Sequence, residues 1–286
     1  LIAGATQFKD GIYWFCTGIG PGVIKKDPNG EISYMPDGPD YPSIFRMTQN
    51  AEQILATGGG VSSTFGNTFN NAGFYIYTPT GWINNLWSPF NTNMYDFTFV
   101  HYYKAKNWYL AATHSNGILV IQNNKIINRW DETNSPLKRQ PPLNLIKISG
   151  IAEDSKGNLW MGSFGSDAPL ICLTKGGLWK TFDIGTSEVR DITIDNQDRK
   201  WMILQTGGVL VFDEGKNIDA TFDDKLITIT TKNGLLTNEV LSIKADELGY
   251  VWIGTNQGLN IYAGGSALFT NPKLDRYIVE QDGSVG

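Results

Sequence analysis

Short apolar runs separated by turns of Gly, Asp and Asn recur along the whole chain. In residues 240–262 an apolar run leads to a turn at Asp246, a second run carries Trp252, and a third follows a Gly. Such runs have strand length, and the residues between them are typical of hairpin turns. The same order recurs around Trp160 and Trp201, so that the three Trp residues are 41 and 51 residues apart. A repeat of this length made of short strands predicts the four-stranded blade of a β-propeller.

Three more degenerate copies precede these, and each copy divides into four strands, A to D. The marker position of strand B is held in turn by Trp14, Ile54, Trp108, Trp160, Trp201 and Trp252. We therefore predict an all-β propeller of six recognisable antiparallel blades, with these Trp side chains wedged between neighbouring blades. The residues expected to bond the backbone of their own A–B turns are Asp154, Asp195 and Asp246. After residue 264 only a weak strand, at 277–279, is expected.

The composition agrees with many short strands and tight turns, since the 286 residues include 32 Gly, 9 Trp, 12 Tyr and 14 Phe. Helical patterns and low-complexity linkers are both lacking, so residues 1–286 are predicted to form one propeller domain. The sequence begins at Leu1 without an initiator Met or a signal sequence. We therefore expect it to be a fragment of a longer protein.

Charge and cysteine usage exclude several classes of partner. The net charge is −5 and the basic residues are scattered, which argues against nucleic acid. The apolar runs are far shorter than the ~18 residues of a transmembrane helix. Cys16 and Cys172 lie three repeats apart and are expected to be buried free thiols. His101 and His114 are remote from both, so neither a metal nor a cofactor is predicted.

Loop length indicates where a ligand would bind. In a four-stranded blade the B–C turns and D-to-A crossings lie at one end of the propeller axis, here called the insertion face. The long connections are all of these kinds, at 58–71, 87–93, 136–144 and 164–169. Function usually resides in such loops, so this face is predicted to bind carbohydrate or peptide. Its candidate ligand-binding residues are Phe65, Phe69, Trp87, Phe90, His114, Arg139 and Phe164, and the first four are expected to be exposed. Alternatively, the aromatic side chains pack the loops onto the disc.

Catalytic motifs are absent from the sequence: it has no nucleophile elbow, no Walker loop and no dinucleotide fingerprint in its required context. No catalytic residue is therefore predicted. A glycosidase would need two carboxylates at a fixed separation. The insertion face holds Asp37, Asp40, Asp167, Glu188 and Glu239, but the sequence brings no two of them together. A propeller lyase or glycosidase remains the third alternative.

The best-formed copy resembles a known repeat. Residues 233–240 (NGLLTNEV), 252–255 (WIGT) and 258–262 (GLNIY) closely resemble the two-component regulator propeller repeat. The resemblance covers the last three copies well and the copies before Asn144 weakly. It implies a periplasmic sensor region of a hybrid histidine kinase of the Bacteroidetes, recognising polysaccharide fragments. It concerns scaffold positions and so implies no catalytic residue.

A finer resemblance joins residues 258–262, Phe269 and residues 277–283 to the propeller region of the PorZ-like accessory proteins of type IX secretion. In those proteins a further Trp-bearing repeat follows, which implies a seven-bladed ring that is here incomplete or atypically closed. The resemblance also implies a place in the periplasm or at the cell surface. The implied partners are glycan, in particular lipopolysaccharide, or another secretion or surface protein. This is the first hypothesis, and the hybrid sensor is the second.

Overall fold

Six antiparallel sheets of four strands each, together with one short hairpin, make up the described part of the protein. This computed structural model describes residues 2–7, 11–17, 23–34, 37–39, 41, 43–50, 53–84, 94–265, 267–277, 280–281 and 284–285. The prediction of an all-β fold with six four-stranded blades is confirmed.

The strands follow one another in six groups of four. The first blade contains β1 (Ile2–Gln7), β2 (Tyr13–Thr17), β3 (Val23–Asp27) and β4 (Gly30–Tyr34), and the second contains β5 (Arg46–Gln49), β6 (Ile54–Thr57), β7 (Phe74–Thr78) and β8 (Gly81–Ile83). The third contains β9 (Phe97–Tyr103), β10 (Trp108–Thr113), β11 (Ile118–Gln122) and β12 (Lys125–Trp130), and the fourth contains β13 (Ile148–Glu153), β14 (Leu159–Ser163), β15 (Leu170–Leu173) and β16 (Trp179–Phe182). The fifth contains β17 (Val189–Ile194), β18 (Lys200–Leu204), β19 (Val209–Asp213) and β20 (Lys225–Ile229), and the sixth contains β21 (Val240–Ala245), β22 (Val251–Thr255), β23 (Gly258–Tyr262) and β24 (Asp275–Tyr277).

Within every blade each strand pairs with the strand next to it in sequence, which is the up-and-down order of a propeller. Two short 3₁₀ turns, Lys104–Lys106 and Thr231–Asn233, are the helical elements of the described ranges other than a turn at Gly11. After residue 264 the described residues contain more strand than the sequence predicted. Asp275–Tyr277 is the outer strand of the sixth blade, and β25 (Glu280–Gln281) and β26 (Ser284–Val285) pair as a hairpin. The expected strand at 277–279 falls partly outside the described residues.

The hydrophobic core lies between the blades. Buried clusters fill the four junctions from the second blade to the sixth, each drawing side chains from both neighbours. At the first of these junctions the rings of Phe74 and Phe97 lie 5.5 Å apart and neither is exposed. Inner strands of blades two to six contact one another in sequence, from β5 and β9 to β17 and β21. In the third to fifth blades, which have a described neighbour on both sides, the middle strands are buried and largely apolar on both faces.

Turn Asp residues connect each A–B hairpin to the Trp of the following strand. One carboxylate oxygen of Asp154 accepts the amides of Lys156 and Asn158, at 3.0 and 2.8 Å. The other accepts the indole N–H of Trp160 at 2.9 Å. The same arrangement joins Asp195 to Trp201 and Asp246 to Trp252, at 2.7 and 2.8 Å. Each Asp therefore accepts hydrogen bonds from the backbone of its own A–B turn, as the sequence predicted.

Two of these Trp side chains are completely buried against the next blade. The ring of Trp160 lies 6.3 Å from Phe212 of the fifth blade, and that of Trp201 lies 5.0 Å from Tyr262 of the sixth. Trp108 packs 6.2 Å from Trp130 within its own blade, and Trp14 lies 5.4 Å from Tyr34. Trp252 is half-buried beside Tyr277. Wedging between blades is therefore strongest in the fourth and fifth copies.

Cys172 is a buried free thiol, and burial raises its pKa to about 12, which makes it a poor nucleophile. The side chain of Cys16 lies outside the described residues. His101 lies on inner strand β9, where its Nε2 is 3.6 Å from Glu153. No helix in the described ranges has the length and apolar character that spanning a bilayer requires.

Candidate functional site

The long B–C connection of the second blade, residues 58–73 between β6 and β7, is called the insertion loop. A single carboxylate holds it: Asp96 accepts the backbone amides of Thr68, Phe69 and Asn70, at 3.0, 3.0 and 2.8 Å. The hydroxyl of Thr68 and the amide group of Asn67 also donate to it, at 2.6 and 3.1 Å. Asp96 is completely buried and precedes β9 of the third blade. The loop is therefore fixed to its neighbouring blade by five hydrogen bonds to one side chain.

Close backbone packing at Gly59 reinforces this attachment. A Cβ at that position would lie 2.2 Å from the backbone nitrogen of Phe97 and 2.3 Å from its carbonyl oxygen. Contacts this short with backbone cannot be relieved by a side-chain rotation, so only glycine fits. The insertion loop therefore starts with its backbone pressed directly onto β9.

Phe65 occupies the centre of the insertion face. Its ring packs against His114 at 5.0 Å, Phe164 at 4.8 Å and the guanidinium of Arg190 at 5.1 Å. These partners belong to the third, fourth and fifth blades, so the ring of Phe65, from the second blade, joins residues of four blades. Phe65 is only 4% exposed. The expectation that it would be exposed was wrong, because the insertion loop folds inward across the top of the inner strands.

His114 is also buried, and its Nε2 contacts the carbonyl oxygen of Phe65 at 3.0 Å. Burial, reinforced by the nearby positive charge of Lys147, lowers its pKa to about 4. The imidazole is therefore neutral near pH 7 and donates to Phe65 from Nε2. It supports the insertion loop from below, out of reach of solvent.

The other predicted residues have different positions. Arg139 donates to Oδ1 of Asn116 at 2.8 Å and pairs with Glu132, so it ties the long crossing to the B–C turn of the third blade. Phe69 is 54% exposed and lies 5.2 Å from Tyr95. Phe164 is half-buried with Lys147 over its ring, at 5.9 Å. Trp87 and Phe90 lie outside the described residues.

The candidate carboxylates have separate partners where they are described. Asp167 pairs with Lys138 at 3.0 Å, Glu188 accepts from Thr206 at 3.3 Å, and Glu239 accepts from Asn256. Asp37 lies near Trp82 at the edge of the second blade, and Asp40 lies outside the described residues. Within the described ranges no group of three His, Cys, Asp or Glu side chains could hold a metal ion.

Beneath the insertion loop lies a central cavity of about 1050 Å³, which is partly open to solvent and is lined by the inner strands of the second to sixth blades. Arg46 of the second blade crosses it to Asp191 of the fifth, with a nitrogen-to-oxygen distance of 2.8 Å. The Arg46 guanidinium also lies 5.2 Å from the ring of Phe99. Arg190 stands beside this bridge, and burial lowers its pKa, which Asp191 and Glu239 partly offset. Phe65 and the Arg46–Asp191 ion pair therefore lie at the same end of the cavity.

Sequence reasoning missed the three charged residues at this end of the cavity, Arg46, Arg190 and Asp191. Arg46 lies near the start of strand A of the second blade, and Arg190 and Asp191 lie near the start of strand A of the fifth. The other strands of these two blades are largely apolar. A charged side chain is costly in the apolar junctions between blades, so on the strand nearest the axis it is expected to reach the channel or an ion-pair partner. That rule, applied to strand A of each copy, could have identified them.

Comparison with known proteins gives a repeat family and a set of similar folds. A model of the family described as Two component regulator propeller matches residues 142–165 and 234–257. A search of curated proteins found no match.

Among solved structures, PorZ, a surface component of the type-IX secretion system of Porphyromonas gingivalis, has a TM-score of 0.76 at 16% identity over 100% of this chain and 42% of its own. The extracellular domain of a protein described as a hybrid two component system from B. thetaiotaomicron has a TM-score of 0.57 at 18% identity over 97% of this chain and 34% of its own. Virginiamycin B lyase from Staphylococcus aureus has a TM-score of 0.57 at 15% identity over 98% of this chain and 85% of its own.

The chain thus spans less than half of the first two proteins. Identities this low establish the fold alone. Two-component regulator propeller repeats are present in this chain, and they build the same fold as the propeller of PorZ and of the sensor domain.

Proposed function

We propose that this chain is a non-catalytic recognition propeller that works outside the cytoplasm, within type IX secretion or cell-surface attachment, and binds glycan or another surface protein. The observation that carries the proposal is the insertion loop, which Asp96 holds rigidly and on which Phe69 is exposed. A rigid loop loses little conformational entropy on binding, which favours recognition. The likeness to PorZ over the full length of the chain supports the choice of system.

A binding screen against glycans and lipopolysaccharide tests this proposal. Phe69→Ala removes the exposed ring of the insertion face and is expected to weaken binding about fivefold or more. Phe222→Ala is the matched control, because Phe222 is 89% exposed in the C–D connection of the fifth blade, at the opposite end of the propeller. Equal binding by wild type and Phe69→Ala, or a larger loss from Phe222→Ala, would contradict the assignment of the face.

The second candidate is the ligand-sensing region of a hybrid two-component receptor for polysaccharide fragments. The repeat match and the likeness to a sensor extracellular domain favour it. The parent gene separates the two candidates: a transmembrane segment and kinase domain following this region would favour the sensor, and a C-terminal sorting domain would favour secretion.

A lyase is the enzymatic alternative, since lyase propellers share the fold. A virginiamycin B lyase in which a single histidine is replaced by alanine is described as catalytically inactive. This chain has two His residues, of which His114 is completely buried and His101 lies beside Glu153 in the cavity. If the wild type turns over quinupristin and His101→Ala abolishes that turnover, the lyase is established and the non-catalytic proposal is overturned.

A further inference from the structure

The central cavity exposes apolar side chains that the inter-blade cores would bury. Met47 is 66% exposed and Leu241 is 57% exposed, and Phe45 and Ile54 line the same cavity at 38% each. By contrast, Ile151 and Ile192 of neighbouring inner strands are almost completely buried. Apolar surface in contact with water costs about 25 cal/mol per Å². A ligand with an apolar body would recover this free energy by covering Met47 and Leu241.

Arg190, which forms no ion pair with the described residues, faces the same cavity. The Arg190 guanidinium packs on the ring of Phe65, and its Nε is buried without a hydrogen-bond acceptor. Among the described residues it forms no salt bridge, since Asp191 is bound by Arg46 at 2.8 Å and Glu239 accepts from Asn256. An arginine fork fixed by an aromatic ring is suited to a carboxylate, which it binds through two parallel hydrogen bonds.

Both features belong to one end of the cavity. Arg190 and Leu241 are the second residues of β17 and β21, and Met47 is the second residue of β5. Because strand A of every blade starts at the insertion face, all three lie near the Phe65 end. The cavity volume of about 1050 Å³ is at the upper end of the range of ligand pockets.

We propose that this cavity binds a ligand in which a carboxylate is attached to an apolar body, with the carboxylate on Arg190 and the body against Met47 and Leu241. The apolar C-terminal residue of a peptide and a fatty acid share this chemistry. The site is separate from the exposed surface around Phe69, so it adds to the proposed function and does not depend on it. The most exposed apolar side chains of the cavity wall, Met47 and Leu241, are aliphatic, and Phe45 adds one partly exposed ring.

Titration calorimetry with paired probes tests the proposal. The pairs are N-acetyl-Leu-Leu as free acid and as amide, and octanoate and octanol. In at least one pair the acid is expected to bind about tenfold tighter than its neutral partner, and Arg190→Gln is expected to abolish that ratio. The pair that binds identifies the source as peptide or fatty acid. Arg276→Gln, at an exposed position of β24, should leave the ratio unchanged.

Met47→Ser tests the contact with the apolar body of the ligand. Met47 is suited to this test because its side chain is highly exposed and is not part of the packed core. It should weaken the acid and its neutral partner by the same factor, while thermal unfolding remains that of the wild type. The proposal is overturned by equal affinities for acid and neutral partner, by an unchanged ratio in Arg190→Gln, or by no binding of either acid. The proposal is also overturned if glucuronate binds and none of the four probes does. None of these results affects the Phe69→Ala comparison, so the two proposals fail independently.

Discussion

The indole N–H of Trp201 donates a hydrogen bond to Asp195 at 2.7 Å, while the Trp201 ring packs 5.0 Å from Tyr262 of the next blade. The second oxygen of the same carboxylate accepts the amides of Gln197 and Arg199, both at 3.0 Å. One side chain therefore shapes the A–B turn of the fifth blade and orients the ring that packs on the sixth. This coupling explains why the repeat keeps Asp and Trp six residues apart.

Removing that carboxylate should be costly where the Trp is buried. Asp195→Ala leaves the buried indole, the turn amides and the buried guanidinium of Arg199 without their acceptor, and we expect the free energy of unfolding to fall by about 3 kcal/mol. Asp246→Ala should cost less, because Trp252 is half-buried, water replaces the carboxylate, and Asp246 forms no ion pair with the described residues. Urea denaturation of both variants measures the difference. Equal losses would show that the inter-blade contact does not depend on the turn Asp.

The sequence was sufficient for the repeating parts of this fold and insufficient for contacts between distant copies. The Asp and Trp positions follow from the local turn and strand pattern. The Arg46–Asp191 bridge joins residues 145 apart in the chain and depends on how the blades are arranged. Phe65 was expected to be exposed because an aromatic residue in a Gly-rich loop has the same sequence pattern whether it points outward or inward. The bonds from the insertion loop to Asp96, across about 26 residues, decide that direction.

Acid should destabilise the insertion face through His114. Its folded pKa of about 4 lies below the ordinary value of 6.5, so the stabilisation is complete above pH 6.5 and is lost as the pH falls toward 4. The charges nearest to it are Lys147, which lowers the pKa, and Asp96, which raises it. Between pH 7 and pH 4.5 the wild type should therefore lose about 2 kcal/mol more than His114→Gln. The glutamine can still donate to the carbonyl oxygen of Phe65. Parallel urea curves for the two proteins across this pH range would refute the prediction.

Asp96 should control the order of the insertion loop. In Asp96→Asn the oxygen that accepts from Thr68 and Phe69, or the one that accepts from Asn70, is replaced by an NH₂ group facing N–H donors. We expect faster amide hydrogen exchange and easier proteolysis within residues 58–73, with the blades still folded. Asp167→Asn serves as the control, since that carboxylate is exposed on the same face and pairs only with Lys138. Unchanged exchange in Asp96→Asn would mean that other contacts hold the loop.

The buried ion pair of Lys200 and Glu214, both in the fifth blade, should show strong non-additivity. Lys200 is completely buried, contacts the Glu214 carboxylate and lies 3.9 Å from the Trp160 ring, and burial lowers its pKa. Lys200→Met leaves Glu214 buried with only the more distant Lys156, at 3.8 Å, and should cost about 3 kcal/mol or more. Lys200→Met combined with Glu214→Leu should recover most of that loss, because an apolar pair of similar size needs no desolvation of charge. A double-mutant cycle by urea denaturation measures the coupling, and additive losses would show that the two charges contribute independently.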